Sequence, residues 1–365
     1  MGEERAASLS VLLQQHLRTV IRQAGGWLPF DQFMSMALYE PGLGYYANGS
    51  LKFGPMPGSG SDFVTAPELS PLFGRTLAVQ VVQALAACGS TQIWEFGAGS
   101  GALAAQLLAA LGDSVTGYHI VDLSAQLRAR QADTLQPWRG RVHWHERLPQ
   151  TLDGVVLGNE VLDAMPVQLL HWDGHAWFER GVADAGSRFV WSDQPTALRP
   201  PVQGGFAPGT VVEVHPQAEA FVRTLAACMG RAAAFFIDYG FPQDEYYHPQ
   251  RTGGTLMCHR AHRVDDDPLV DLGLKDITAH VDFTGIALAA QDAGLEALGY
   301  TSQARFLINC GLPALLDGAD LRTTVPAQRL IHEHEMGELF KVIGLTRGAS
   351  FDAIGFRAGD RSHRL

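Results

Sequence analysis

Ile93-Trp94-Glu95-Phe96-Gly97-Ala98-Gly99-Ser100-Gly101 carries an apolar strand into an acidic residue and then into three glycines at every second position. Glycine lacks a Cβ, so such a turn reaches positive φ and lets a ligand approach bare backbone. The run that follows, Ala102-Leu103-Ala104-Ala105-Gln106-Leu107-Leu108, reads as a helix whose N-terminus faces that ligand. Strand, glycine turn and helix in succession predict a doubly wound α/β fold with an adenosyl cofactor at the turn.

The glycines fit two cofactor classes. Gly97-x-Gly99-x-x-Ala102 satisfies the dinucleotide fingerprint, and Asp122 follows where such folds keep a ribose-binding acid. Glu95 separates the two. A carboxylate two residues before the first glycine repels the pyrophosphate of NAD at short range, whereas S-adenosylmethionine has no phosphate and carries a sulfonium and an ammonium. Methyl transfer is therefore the expectation and hydride transfer the alternative. Expected cofactor contacts are Glu95, Gly97, Gly99, Gly101, Asp122, which ends the apolar run Tyr118-His119-Ile120-Val121, and the adjoining Leu123.

Around this motif strand and helix alternate. Strands are expected at Gln92–Phe96, His119–Asp122, Val142–Trp144 and Gly154–Gly158, with a helix around Ser124–Thr134, which implies a mostly parallel sheet. The chain divides into an N-terminal helical segment with a site-covering loop (1–88), a first part of the core (89–166), a β-hairpin insertion (167–210) and a second part of the core (211–365). That last part carries loop and helical insertions at 241–283 and 303–340. The hairpins are expected from short alternating runs split by Asp173-Gly174 and Asp184-Ala185-Gly186. Val342–Leu345 and Phe351–Phe356 are expected to close the sheet as antiparallel strands.

Composition narrows the function classes. With 46% hydrophobic and 18% charged residues, 365 residues make a compact enzyme with ample core. A net charge of −11 argues against nucleic-acid binding, which draws its affinity from cationic side chains meeting phosphates. Cys88, Cys228, Cys258 and Cys310 form no CxxC pair, so neither a zinc knuckle nor a disulfide framework is expected. The histidines of His332-Glu333-His334-Glu335 are separated by one residue and would point to different faces of a helix, so no metal is predicted. No apolar run approaches the roughly 20 residues of a membrane span. The N-terminus also lacks a signal pattern, and a soluble cytoplasmic protein is expected.

Ligands of open α/β sheets sit beyond the carboxyl ends of the strands. Three acidic stations converge there: Glu95, Asp122 and Asn159-Glu160. Asn159 is expected beside the cofactor, and Glu160 and Asp163 are the candidates for catalysis. An arginine acceptor stays protonated at neutral pH, and carboxylates that pair with its guanidinium orient it and draw charge from the attacking nitrogen. The plain alternative is that Glu160 and Asp163 cap a following helix. An adenine acceptor is disfavoured, because no Pro-Pro-Tyr/Phe follows Asn159.

Ser61-Asp62-Phe63-Val64-Thr65-Ala66-Pro67-Glu68, Glu95–Gly101, Gly158-Asn159-Glu160-Val161-Leu162-Asp163-Ala164-Met165-Pro166-Val167, Ile237-Asp238-Tyr239-Gly240, Asp276-Ile277-Thr278-Ala279-His280-Val281-Asp282-Phe283 and Met336-Gly337-Glu338-Leu339-Phe340-Lys341-Val342 together resemble the MidA family over nearly the whole chain. That family includes the mitochondrial complex I assembly factor 7. The resemblance implies a class I methyltransferase (Rossmann-like) fold, S-adenosyl-L-methionine as cofactor, and a protein arginine, in a respiratory-complex subunit, as acceptor. It further implies that Asp62, Thr65 and Glu68 lie beside the cofactor and that Tyr45, Tyr46, Asp276 and His280 lie beside the acceptor channel. Ala98 and Ser100 depart from the proline and arginine that the family's glycine motif often carries, which alters fine contacts. Two other readings stay open: a cofactor-binding assembly factor with weak or no catalysis, and a methyltransferase acting on a small molecule.

Overall fold

The computed structural model describes residues 2–48, 64–122, 124–260 and 263–365, and side chains from residue 7 onward. Asp62 and Leu123, and the loop expected to cover the site up to Phe63, lie outside the described residues.

The main sheet contains β1 (Gln92–Phe96), β2 (Gly117–Val121), β3 (Val142–His145), β4 (Leu152–Asn159), β5 (Met229–Phe241), β6 (Glu296–Ser302) and β7 (Phe340–Arg347). Their order is β3-β2-β1-β4-β5-β7-β6, with the short pair Val281–Asp282 added parallel to β5. β7 runs antiparallel to both neighbours, and the pairs among β1 to β5 are parallel. Both faces are covered by helices, so β4 and β5 read as nearly continuous apolar runs.

Alternate side chains serve the two faces. Ile93, Val155 and Phe235 pack with helices Leu72–Cys88 and Ala102–Leu111, whereas Trp94, Val156 and Phe236 pack with Pro216–Cys228 and Phe283–Asp292. Strand order reverses between β1 and β4, and the crevice outside their carboxyl ends is where such folds place ligands.

The insertion forms a second antiparallel sheet of Gln168–Trp172, Trp177–Asp184, Phe189–Pro195 and Val211–Val214. It runs past the expected boundary at 210 and gains Trp27–Pro29 from the N-terminal segment. The cause is a shared core, in which Leu13, Leu17, Ile21, Leu28 and Phe33 bury themselves against Val182 and Phe189. The region 241–283, expected as an insertion of loops near the site, contains a three-stranded sheet, Met257–Arg260, Arg263–Asp265 and Asp276–Thr278. The buried Lys275, paired with Asp265 at 2.7 Å, ties its turn down.

Phe351–Phe356 supplies no strand. The sheet ends at Arg347 and the chain folds back as a 3₁₀ turn, Ile354–Phe356, which lays the Phe356 ring over the glycines of β6 and β7. A Cβ at Gly344 would lie 2.6 Å from that ring. Gly344→Ala should therefore destabilise by about 1–3 kcal/mol, as overpacked cores do. An unchanged thermal midpoint would contradict this packing.

Candidate active site

A cavity of about 1190 Å³ opens at the carboxyl ends of β1, β2, β4 and β5. At one end lies the glycine turn. Gly97 and Gly99 adopt φ of +62° and +53°, left-handed values that favour glycine. A Cβ at Gly97 would also come within 3.0 Å of Val161, so the turn needs glycine there for space as well. Gly101, also left-handed, caps the helix Ala102–Leu111 and faces Gln131 and Leu135. Its neighbours Ser100 and Ala102 line the cavity, and Gly101 does not.

Behind the turn Glu95 is buried and accepts a 2.6 Å hydrogen bond from the Tyr118 hydroxyl. Burial pushes its carboxyl up to about 7, with the Asp122 charge adding and the Tyr118 bond opposing. Asp122, just past β2, accepts from the Ser124 amide at 2.9 Å and from Gln131 Nε2 at 2.8 Å. The same Gln131 nitrogen donates to the Gly99 carbonyl at 3.2 Å, so one buried amide couples the turn to the acid. Two carboxylate oxygens with one protein bond each keep lone pairs for further donors. Thr65 and Glu68 line the cavity, and Glu68 accepts the Ser100 hydroxyl. Bare backbone at 97–99 beside an acid with acceptor capacity to spare fits an adenosyl cofactor.

The other end is acidic. The chain leaves β4 at Asn159 and turns at Glu160, one of two non-glycine residues with positive φ (54°) among the described residues. Asn159 Nδ2 donates to Glu160 Oε1 at 3.0 Å. No helix follows, so helix capping does not account for Glu160 or Asp163. Asp163 is buried beside Tyr239, and its backbone carbonyl accepts the Ala279 amide at 3.0 Å. Asp276 accepts the Tyr46 hydroxyl at 2.8 Å, and the Tyr39 hydroxyl donates to the Ala164 carbonyl at 2.8 Å. Asn159, Glu160, Asp163, Asp276, Tyr46 and His280 all line the cavity. Tyr45 does not. It is fully buried in the N-terminal core, edge-on to Tyr46.

Carboxyls are raised at this end as Glu95 is behind the turn. Glu160 is pushed up to about 8, by burial first and by the Asp163 charge second. Burial raises Asp163 to about 6. Asp238, fully buried behind them, is raised well above its ordinary value by burial and by the charges of Asp163 and Glu160. His280 is lowered to about 4 by burial, then by Arg251, and is neutral at pH 7. Its ring stacks on Phe241 at 5.2 Å, and its buried Nδ1 has no hydrogen-bond partner. Gln131, Tyr118, Asp238 and Tyr239 were not singled out as site residues from the sequence. The last two stood within a recognised motif, which was their only signal.

The raised carboxyls have a consequence for stability. Both groups prefer the protonated form in the folded chain, so their contribution is full below the ordinary carboxyl values. It is lost as pH rises through about 6 and about 8. The thermal midpoint of the unliganded protein should fall across that window, and Glu160→Gln should flatten the upper part of the fall. Superimposable midpoint-versus-pH curves for the two proteins would refute the assignment.

The model of a family described as S-adenosyl-L-methionine-dependent methyltransferase matches residues 76–301. A COG1565 superfamily member from Burkholderia thailandensis, solved bound to S-adenosyl-homocysteine, is 50% identical, with a TM-score of 0.94 over 99% of this chain and 98% of that one. A native structure of a COG1565 protein from the same organism is 49% identical, with a TM-score of 0.91 over 99% and 98%. The curated "Protein arginine methyltransferase NDUFAF7, mitochondrial" of Danio rerio is 29% identical over 91% of this chain and 84% of its own length. Its Drosophila melanogaster homolog is 29% identical over 81% and 74%. The central mixed sheet, the glycine turn and these similarities agree: the chain belongs to this family of class I methyltransferases, and S-adenosyl-L-methionine is its cofactor.

Proposed function

We propose that the chain methylates a side-chain nitrogen of arginine in a protein, held against Glu160 and Asp163. One observation carries the reading. Glu160, Asp163 and Asp276 line the cavity with Asp238 buried behind them, and Glu160 and Asp238 are raised by burial first and then by the charges of these acidic neighbours. Buried carboxylates without a counter-ion are costly, and a cationic ligand that pairs with them relieves the cost. A guanidinium stays charged and offers five N–H donors in a planar fork, which suits two carboxylates better than a compact ammonium does. The curated relatives named as arginine methyltransferases support the same acceptor.

When bound, S-adenosylmethionine supplies an electrophilic methyl on its sulfonium. Gly97, Gly99, Glu95 and Asp122 would hold it, with Thr65, Glu68 and Asn159 at its edge, and Asp62 and Leu123 belong to the same proposal from sequence. Glu160 and Asp163 pair with the guanidinium, aim one nitrogen along the cavity and keep positive charge on the other two. The nitrogen that gains the methyl loses one proton. Glu160, near neutrality, is placed to take it. Tyr46, Tyr239 and His280 line the cavity beside these carboxyls.

Calorimetry tests the acceptor class. Protein loaded with S-adenosylhomocysteine should bind ethylguanidine more tightly than butylamine at neutral pH. It should release protons as the guanidinium displaces them from the carboxyl cluster, and Glu160→Gln should weaken binding by roughly tenfold or more. Equal affinity for the amine, or binding indifferent to Glu160, would sink the proposal.

A further inference from the structure

We infer that Asp238 is the positioning residue of the acceptor pocket, the group that holds Glu160 in the backbone conformation from which it lines the cavity. The inference rests on the acceptor reading of Glu160. Asp238 was given no role by the sequence, and it is absent from the cavity wall. It stands on β5 one residue past Ile237, which is in register with Asn159, the last residue of β4.

Where β4 ends, the chain does something a glutamate resists: it turns left-handed. Such a conformation persists only where neighbouring contacts over-determine it. Three bonds do so here. The Glu160 amide donates to the Ile237 carbonyl at 2.9 Å, and the amides of Val161 and Leu162 both donate to Asp238 Oδ2, at 3.0 and 2.8 Å. Two consecutive N–H groups converging on one buried oxygen leave the backbone after Glu160 a single course. The far end of the same segment is held through its backbone, where the Ala279 amide donates to the Asp163 carbonyl at 3.0 Å. Both ends of 160–163 are thus tied, the first of them by Asp238.

Asp238→Asn keeps an oxygen for the two amides, whereas Asp238→Ala leaves both unpaired in a buried site and frees Glu160 to relax. The rescue by asparagine is what separates positioning from general support. In protein loaded with S-adenosylhomocysteine, Asp238→Ala should lower ethylguanidine affinity roughly tenfold or more, and Asp238→Asn should stay within about threefold of wild type. Both should bind S-adenosylhomocysteine within about threefold of wild type.

Ethylguanidine binding that survives Asp238→Ala would overturn the inference, and so would an asparagine variant as damaged as the alanine one. If Glu160→Gln itself leaves ethylguanidine affinity intact, the acceptor reading fails instead. Should Asp238→Ala not fold, hydrogen exchange on the wild type decides: the amides of Val161 and Leu162 should be strongly protected, and exchange at the rate of an open loop would overturn the clamp.

Discussion

Glu160→Gln leaves the affinity for S-adenosylhomocysteine within about threefold of wild type and lowers methyl transfer by roughly 10²–10³-fold, the cost of removing one aligned electrostatic group. The two effects should separate if, as proposed, the acceptor is held past β4, where Glu160 lines the cavity, and the cofactor past β1 and β2, where Gly97, Gly99 and Asp122 line it. Glutamine keeps the shape and the hydrogen bond with Asn159. It loses the charge that pairs with a guanidinium and the basic oxygen that takes its proton. The same variant should melt higher at neutral pH, because glutamine is spared the proton uptake that burial forces on Glu160. Equal loss of transfer and of cofactor affinity would mean that Glu160 supports the fold or the cofactor instead.

Asp122→Ala should weaken S-adenosylhomocysteine binding by about 10²-fold or more. Two hydrogen bonds from ribose hydroxyls to a charged group are each worth about 1.5–3 kcal/mol, and 1.4 kcal/mol is a factor of ten. The variant also releases the Ser124 amide and Gln131, so part of the loss comes from a loosened turn. Gln131→Leu separates the two contributions: it keeps the carboxylate and removes its tie to Gly99. Calorimetry on both variants reads the difference, and an unchanged affinity in Asp122→Ala would contradict the cofactor site.

The glycine turn was legible because its signals are local. A short apolar strand, a left-handed requirement met by glycine and an acid just before the turn all sit within one short stretch. The acceptor pocket is a product of topology. Asp238 and Tyr239 reach Val161, Leu162 and Asp163 because β4 and β5 pair in parallel across more than seventy residues of chain, and no periodicity reports that register. Adjacent tyrosines show the same limit. Tyr45 and Tyr46 have equal claim on a channel in sequence, yet backbone direction buries one and turns the other to Asp276. Phe351–Phe356 is apolar enough to read as a strand, but it forms a turn that lays Phe356 over Gly299 and Gly344. The sheet at 257–278 hid behind polar residues whose partners, such as Asp265 for Lys275, lie across the hairpin.

Methylated proteins from cells that have or lack this gene, compared by mass spectrometry, address the central claim directly. A methylarginine present with the gene should vanish without it, return with the wild-type chain and stay absent with Glu160→Gln. A methylarginine pattern indifferent to the gene, or restored by Glu160→Gln, would contradict the account.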